Sequence, residues 1–304
     1  MPTKPKLLIT GASGLLGEAL CHAAMEKWSV TGIHRHHLLS ISGVSAARAD
    51  LTDDATVKGL LAAIDPQAVI HAAAIAQPAA CEKEPQSSAA VNVHLPELLA
   101  GLCADRKIPF VFTSTDLVFD GRQAPYDETR PVNPVCTYGR QKAQAEKAVV
   151  ERYAGALVCR LPLMFGVSAH CANNFTSQML MAMHQGRPVN LFTDEFRTPV
   201  DNQSAARGLL TVLGQTRGVL HMGGRSRVSR YALGIMMAEH LGIAPGLLKP
   251  VTIASYALSV ARSPDCTLDS RKAYRLGYDP MPLSDAVKRV VEQFKALHSL
   301  VKWQ

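Results

Sequence analysis

The chain has 304 residues, 47% of them apolar and 19% charged, which excludes a disordered polymer and suits one large α/β unit or one with a smaller lobe. Its formal charge of +7 comes without a dense Lys/Arg run or interleaved aromatics, so it argues against nucleic-acid binding and fits a pocket for anionic small molecules. Seven scattered cysteines with no Cys-x-x-Cys pair, no apolar run of membrane-spanning length and no room for a signal peptide before the first strand lead to the expectation of a reduced, cytoplasmic protein.

Lys6 to Thr10 is a short apolar run expected to form a buried parallel strand. Gly11-Ala12-Ser13-Gly14-Leu15-Leu16-Gly17 follows, and then a helical pattern through Ala19, Leu20, Ala23 and Ala24. A strand, a glycine turn and a helix N-terminus make a phosphate cradle, because glycines admit the backbone to a pyrophosphate and the free amides of the helix start point at it. The second strand, Ser29 to Ile33, ends in His34-Arg35-His36-His37, and no acid stands between Glu26 and Asp50. An NAD site commonly places an acid there for the ribose hydroxyls, whereas an arginine suits the extra phosphate of NADP. Arg35 is therefore the candidate for that phosphate, through fork-shaped charge-assisted bonds, so NADP(H) is preferred over NAD(H). Three histidines in one loop without a Cys, Asp or Glu partner make a poor metal site, and no metal is expected.

Further along, Ala46 to Leu51 reads as a third strand, Asp53 to Ile64 as a helix, and Ala68 to His71 as a fourth strand ending in Ala72-Ala73-Ala74. Gln86 to Arg106 reads as one long helix and Ile108 to Thr113 as a fifth strand, after which Ser114-Thr115-Asp116 stands where open α/β sheets place their chemistry. Pro131 and Pro134 then set the approach of a helix carrying Tyr138 and Lys142. Their Tyr-x-x-x-Lys spacing is one helical turn, so both side chains emerge on one face. An ammonium beside a phenol favours the phenolate and draws its pKa toward the working range, and such a pair can exchange a proton with a carbonyl oxygen during hydride transfer. Leu157 to Leu161 is a sixth strand. The alternation predicts a Rossmann-type doubly wound α/β fold over residues 1–165. From 166 to 304 prolines break the chain into shorter pieces, read as a smaller substrate lobe with segments returning to the sheet. Helices are expected at 174–184, 202–213, 229–241 and 283–298.

These residues together resemble the extended short-chain dehydrogenase/reductase family. Within it they look like the branch holding dTDP-4-dehydrorhamnose reductase and the regulatory beta subunit of methionine adenosyltransferase. The resemblance covers nearly the whole chain. It rests on Thr10 to Gly17, Asp50-Leu51, His71 to Ala74, Val91-Asn92, Ser114-Thr115-Asp116-x-Val118-Phe119-Asp120-Gly121, Pro125-Tyr126-x-Glu128, Tyr138-Gly139-x-x-Lys142 and Glu146. Arg197-Thr198-Pro199, Gly218-Val219-Leu220-His221 and Leu268-Asp269-x-x-Lys272 continue it.

The resemblance implies that Tyr138 donates a proton to a ketone oxygen, that Lys142 lowers its pKa and bonds the nicotinamide ribose, and that Thr115 orients the carbonyl. It places Gly11, Ser13, Gly14, Leu15, Leu16, Gly17, Asp50, Leu51, Ala72, Ala73, Ala74 and Asn92 around the dinucleotide. Arg197, Arg225 and Arg262 become candidate contacts for the diphosphate or sugar of a nucleotide-sugar substrate. Two departures stand out: Leu117 replaces the tyrosine common in this branch, and Leu15-Leu16 is closer to the adenosyltransferase-subunit version. An NADPH-dependent reductase of a 4-keto sugar nucleotide is therefore the first reading, and a non-catalytic NADP-binding regulatory subunit the second. A nucleotide-sugar epimerase is the third, and a homodimer is left open. Leu297, Leu300, Val301 and Trp303 offer a C-terminal tail for a partner or for the chain's own core.

Overall fold

Seven parallel strands build the centre of the computed structural model, which describes residues 4–36, 38–171, 174–257 and 259–299. In chain order the first half runs β1 (Lys6–Thr10), α1 (Leu15–Ala24), β2 (Ser29–His34), β3 (Val44–Arg48), α2 (Asp54–Ile64), β4 (Ala68–His71), α3 (Pro78–Lys83), α4 (Pro85–Ala89), α5 (Leu95–Arg106), β5 (Phe110–Thr115), α6 (Thr137–Arg152) and β6 (Leu157–Leu161). It continues with β7 (Met164–Phe165), α7 (Phe175–His184), β8 (Val189–Phe192), β9 (Phe196–Arg197), β10 (Val200–Asp201), α8 (Asn202–Val212), β11 (Gly218–His221), β12 (Val228–Ser229), α9 (Arg230–Leu241), β13 (Leu248–Val251), α10 (Arg271–Arg275) and α11 (Leu283–Ser299). The sheet order is β11-β6-β5-β4-β1-β2-β3, so the winding reverses between β1 and β4. That is the Rossmann-type arrangement, and it opens a crevice outside the carboxyl ends of β1 and β4.

The strands are apolar on both faces because helices cover both. Leu7 and Ile9 pack with α1 and α8, whereas Leu8, between them, packs with α2, α5 and α6. After residue 165 the chain supplies two kinds of structure. β11 pairs with β6, and α8 lies on α1 through Ala205 and Leu209. Met179, Leu180, Leu191, Leu233, Met237, Val287, Val290 and Phe294 form a separate core between α7, α9, α11 and the β8–β13 pair.

Three expectations shift in the structure, each for a local reason. The third strand ends at Arg48 rather than 51, because the Asp50 carboxylate turns back to accept from Thr52 N (3.0 Å) and Thr52 Oγ1 (2.7 Å). The fifth strand runs to Thr115, which makes the candidate catalytic threonine its last residue. The long helix expected over 86–106 is broken by a π turn at Ala90–His94. Pro96 lacks an N–H, and its ring would meet the carbonyl four residues back; a wider turn relieves both.

Among the described residues no helix is long and apolar enough to cross a membrane, and no group of three His, Cys, Asp or Glu is placed to hold a metal. Leu297 is exposed on α11; Leu300, Val301 and Trp303 lie outside the described residues.

Candidate active site

The crevice is closed on one side by contact between backbones. Gly11 has φ +69°, and a Cβ there would stand 2.7 Å from Ala73 N and Cα, so the turn after β1 lies directly on the segment after β4. A Cβ on Gly17 would lie 2.0 Å from Gly11 O. These two glycines let α1 begin tight against the turn. Gly14 caps α1 without a side chain, leaving its first amides for a ligand. Ser13 and Leu15 are part exposed, whereas Leu16 is buried in the core, so only its backbone reaches the cradle. Thr10 Oγ1 joins His71 Nδ1 (2.6 Å) and accepts from Ala73 N (3.3 Å), which fixes the start of the Ala72–Ala74 segment.

At the outer end of the crevice Arg35 pairs with Asp50 at 2.9 Å, both half exposed, and Leu51 is next in line. Arg48, which the sequence reading passed over, donates from Nε to Arg35 O (3.1 Å) and stands beside His34 in the β2–β3 register. Two arginines thus meet at one strand end.

The inner end holds Thr115, Tyr138 and Lys142. A Cβ on Gly139 would lie 2.2 Å from Leu117 O, so α6 presses its first turn against the turn that follows Thr115. Cys136 Sγ caps that helix by accepting from Gly139 N (3.4 Å). Thr115 Oγ1 accepts from Leu117 N and donates to Asp116 Oδ1, both at 3.2 Å. Tyr138 is buried with Cys81 and Cys136 beneath a collar of Ile75, Leu117 and Val260. The Lys142 ammonium stands 4.0 Å over the Phe112 ring.

Burial dominates the electrostatics here. It pulls Lys142 down to about 7, against the nearby Glu146 carboxylate. It pushes the Tyr138 phenol above its ordinary range, with Cys81, Asp116 and Cys136 acting in the same sense. The spacing alone predicts a phenol drawn down by its lysine; in the folded chain desolvation outweighs that pull, and the proton sits on the phenol. Burial likewise raises Asp116 to about 6, although Arg197 opposes it.

Asn92 takes a different part from the one expected. Its Oδ1 accepts from Ile75 N (2.9 Å), and its Nδ2 donates to Ile75 O (3.1 Å) and Gln141 Oε1 (2.8 Å). Gln141 passes the connection to Ser88 Oγ (2.8 Å) and Pro85 O (3.0 Å). The amide is consumed in tying the segment beyond Ala74 to α6, so Asn92 shapes the crevice without facing it. The π turn at its own position presents it there.

The three candidate arginines separate. Arg197 is 2% exposed, and its fork binds Asp116 (3.1 Å), Glu195 (3.2 Å), Phe196 O (2.6 Å) and Ser263 O (3.1 Å). It is an internal clamp, which corrects its assignment to a substrate phosphate. Arg225 lies out on the surface with Asp279 (2.8 Å) and the Tyr274 ring (4.5 Å). Arg262 is exposed and joins Glu195 at 3.0 Å, and Glu195 also holds Arg230 at 2.9 Å. Glu195 and Arg230 escaped the sequence reading, because a hub of this kind is assembled only in three dimensions.

The family described as the RmlD substrate binding domain matches residues 5–296. The probable low-salt glycan biosynthesis reductase Agl14 of Haloferax volcanii is 31% identical over 86% of this chain and 88% of its own length. The methionine adenosyltransferase 2 subunit beta of Xenopus laevis is 30% identical over 81% of this chain and 75% of its own. Among solved structures, dTDP-4-dehydrorhamnose reductase from Bacillus anthracis in complex with NADP superposes with a TM-score of 0.85 at 21% identity, over 96% of this chain and all of that one. The crevice, the buried Thr-Tyr-Lys set and the match across nearly the whole sequence converge, and the chain belongs to the RmlD substrate binding domain family.

Proposed function

We propose that the protein is an NADPH-dependent reductase of a 4-keto sugar nucleotide. One observation carries this reading: Tyr138 and Lys142 are buried on one helix turn that presses against Thr115, at the end of the crevice between β1 and β4. The glycine cradle fits a pyrophosphate, since side chains at Gly11 or Gly17 would fill it. Arg35, assisted by Arg48, would hold a 2′-phosphate; Asp50 and Leu51 would flank the adenine, and Ala72 to Ala74 would line the dinucleotide. When bound, the cofactor supplies hydride.

The chain's own residues then manage the oxygen. Thr115 Oγ1 turns from Asp116 to the carbonyl, and Tyr138 donates the proton that burial keeps on it. Lys142 offsets the negative charge left on the phenolate. Ile75, Leu117 and Val260 exclude water around that oxygen. Arg262, anchored through Glu195, is the arginine best placed to meet the substrate.

A second reading is favoured by the 30% identity to the adenosyltransferase beta subunit: an NADP-binding chain that regulates a partner. Loss of dihydronicotinamide absorbance with a panel of 4-keto nucleotide sugars separates the two. Turnover that disappears in Tyr138→Phe supports the reductase. Tight NADPH binding with no turnover on any sugar supports the regulatory chain.

A further inference from the structure

Several residues of the family pattern have no task in the chemistry above: Glu146, Tyr126, Glu128 and His221. In the structure they are one connected chain, buried except at its Glu128 end. Glu146 lies one turn beyond Lys142 on α6 and is 6% exposed. Its carboxylate accepts from Arg160 Nε (3.0 and 3.2 Å), from the Arg160 terminal nitrogen (2.6 Å) and from Ser114 Oγ (2.5 Å). Arg160, on β6, also reaches His221 Nε2 at 3.2 Å. Burial holds His221 near 3, hence neutral, so its Nδ1–H donates to Tyr126 O (3.0 Å) and its Nε2 accepts from Arg160. The His221 amide donates to Glu128 Oε1 (3.0 Å), and Tyr126 N donates to Thr267 O (2.8 Å). The carboxylate beside Lys142 is therefore braced from β5, β6 and β11 and, through Tyr126, from the segment around Leu268.

Lys142 needs such a neighbour. The ionisable groups around it are Tyr138 and Glu146, one turn to either side on its own helix, Cys81 from α3, His71 from β4 and, on the Glu146 carboxylate, the Arg160 guanidinium from β6. Burial keeps the phenol and the Cys81 thiol protonated and His71 uncharged, near 3. Among these, Glu146 is the one standing negative charge, and its ion pair and hydrogen bonds fix where that charge sits.

We propose that Glu146 is the positioning residue of the site, a carboxylate clamped by Arg160 and Ser114 one helix turn from Lys142, whose fixed negative charge favours the lysine's ammonium form. The proposal rests on the reading of Lys142 as the ammonium of a reductase site, and its test is independent of turnover. The lysine side chains are labelled with 13C, Lys142→Met assigns the Lys142 Cε signal, and its titration is followed by NMR in the cofactor-free protein.

In Glu146→Gln the midpoint falls by about one pH unit or more; in Glu146→Gln/Arg160→Met, which also removes the opposing guanidinium charge, it falls less. Glu146→Asp keeps the charge one methylene away, and its midpoint falls less. An unchanged midpoint in Glu146→Gln, with the fold intact by circular dichroism, overturns the proposal, as does an Asp variant that behaves like Gln. If the Gln variants do not fold, the Asp variant carries the test: no downward shift refutes the inference. Absence of keto-sugar reduction in the wild type would remove the reductase reading and leave the titration result standing.

Discussion

Burial pushes Tyr138 and Lys142 toward their uncharged forms, and this sets what each substitution does. Tyr138 keeps its proton, so removing the hydroxyl removes the acid: Tyr138→Phe lowers reduction by about two to four orders of magnitude while NADPH affinity is nearly unchanged. Lys142 sits near 7, well below an ordinary lysine. A group whose folded pKa lies below its unfolded value binds fewer protons when folded, so across the window from about 7 up to the usual lysine range stability rises with pH. Lys142→Met removes that slope and raises the unfolding free energy at pH 7 by on the order of 1 kcal/mol or more, while abolishing turnover; chemical denaturation at two pH values measures it. For the wild type, activity that depends on the ammonium falls as pH rises through the Lys142 midpoint. At the other end of the crevice, Arg35→Ala weakens NADPH and leaves NADH nearly untouched in a binding titration; equal weakening of both would remove Arg35 from the 2′-phosphate.

At the scale of elements, the strand–glycine–helix opening, the six strands and the Tyr-x-x-x-Lys helix were legible in the residues, because buried parallel strands and glycine turns leave strong local signals. The π turn was missed, since one long helix was read straight through Pro96, whose missing N–H and ring already mark a break in the regular pattern. The role of Asn92 follows from that turn and was missed with it. Asn92→Ala strands the Ile75 amide and the Gln141 carboxamide, and is expected to cost about 1–3 kcal/mol in thermal or denaturant unfolding. It also weakens NADPH binding, because the segment beyond Ala74 loses its tie to α6. An Asn92→Ala variant of wild-type stability would show that this tie is dispensable.

Over the whole molecule, the sheet and the later segments are joined by buried charge. Arg197 connects Asp116, at the end of β5, to Glu195 and through it to Arg230 and Arg262. The family resemblance offered Arg197 as a contact for the diphosphate or sugar of the substrate; only the folded arrangement shows that its fork is used up inside. Arg197→Met leaves Asp116 and Glu195 with less than their positive charge, and the expected loss is about 3–5 kcal/mol, seen as a lowered unfolding midpoint. Binding of the sugar nucleotide weakens only as far as the fold does. A selective loss of substrate affinity at full stability would return Arg197 to the substrate.

The central claim is that the buried Thr115–Tyr138–Lys142 set reduces a keto sugar nucleotide with hydride from NADPH. Its most direct test is NADPH oxidation with 4-keto nucleotide sugars, comparing the wild type with Tyr138→Phe. The structure predicts turnover on at least one of them that falls at least about a hundredfold in the variant. Tight NADPH binding with no turnover on any, or turnover that survives in Tyr138→Phe, would contradict it.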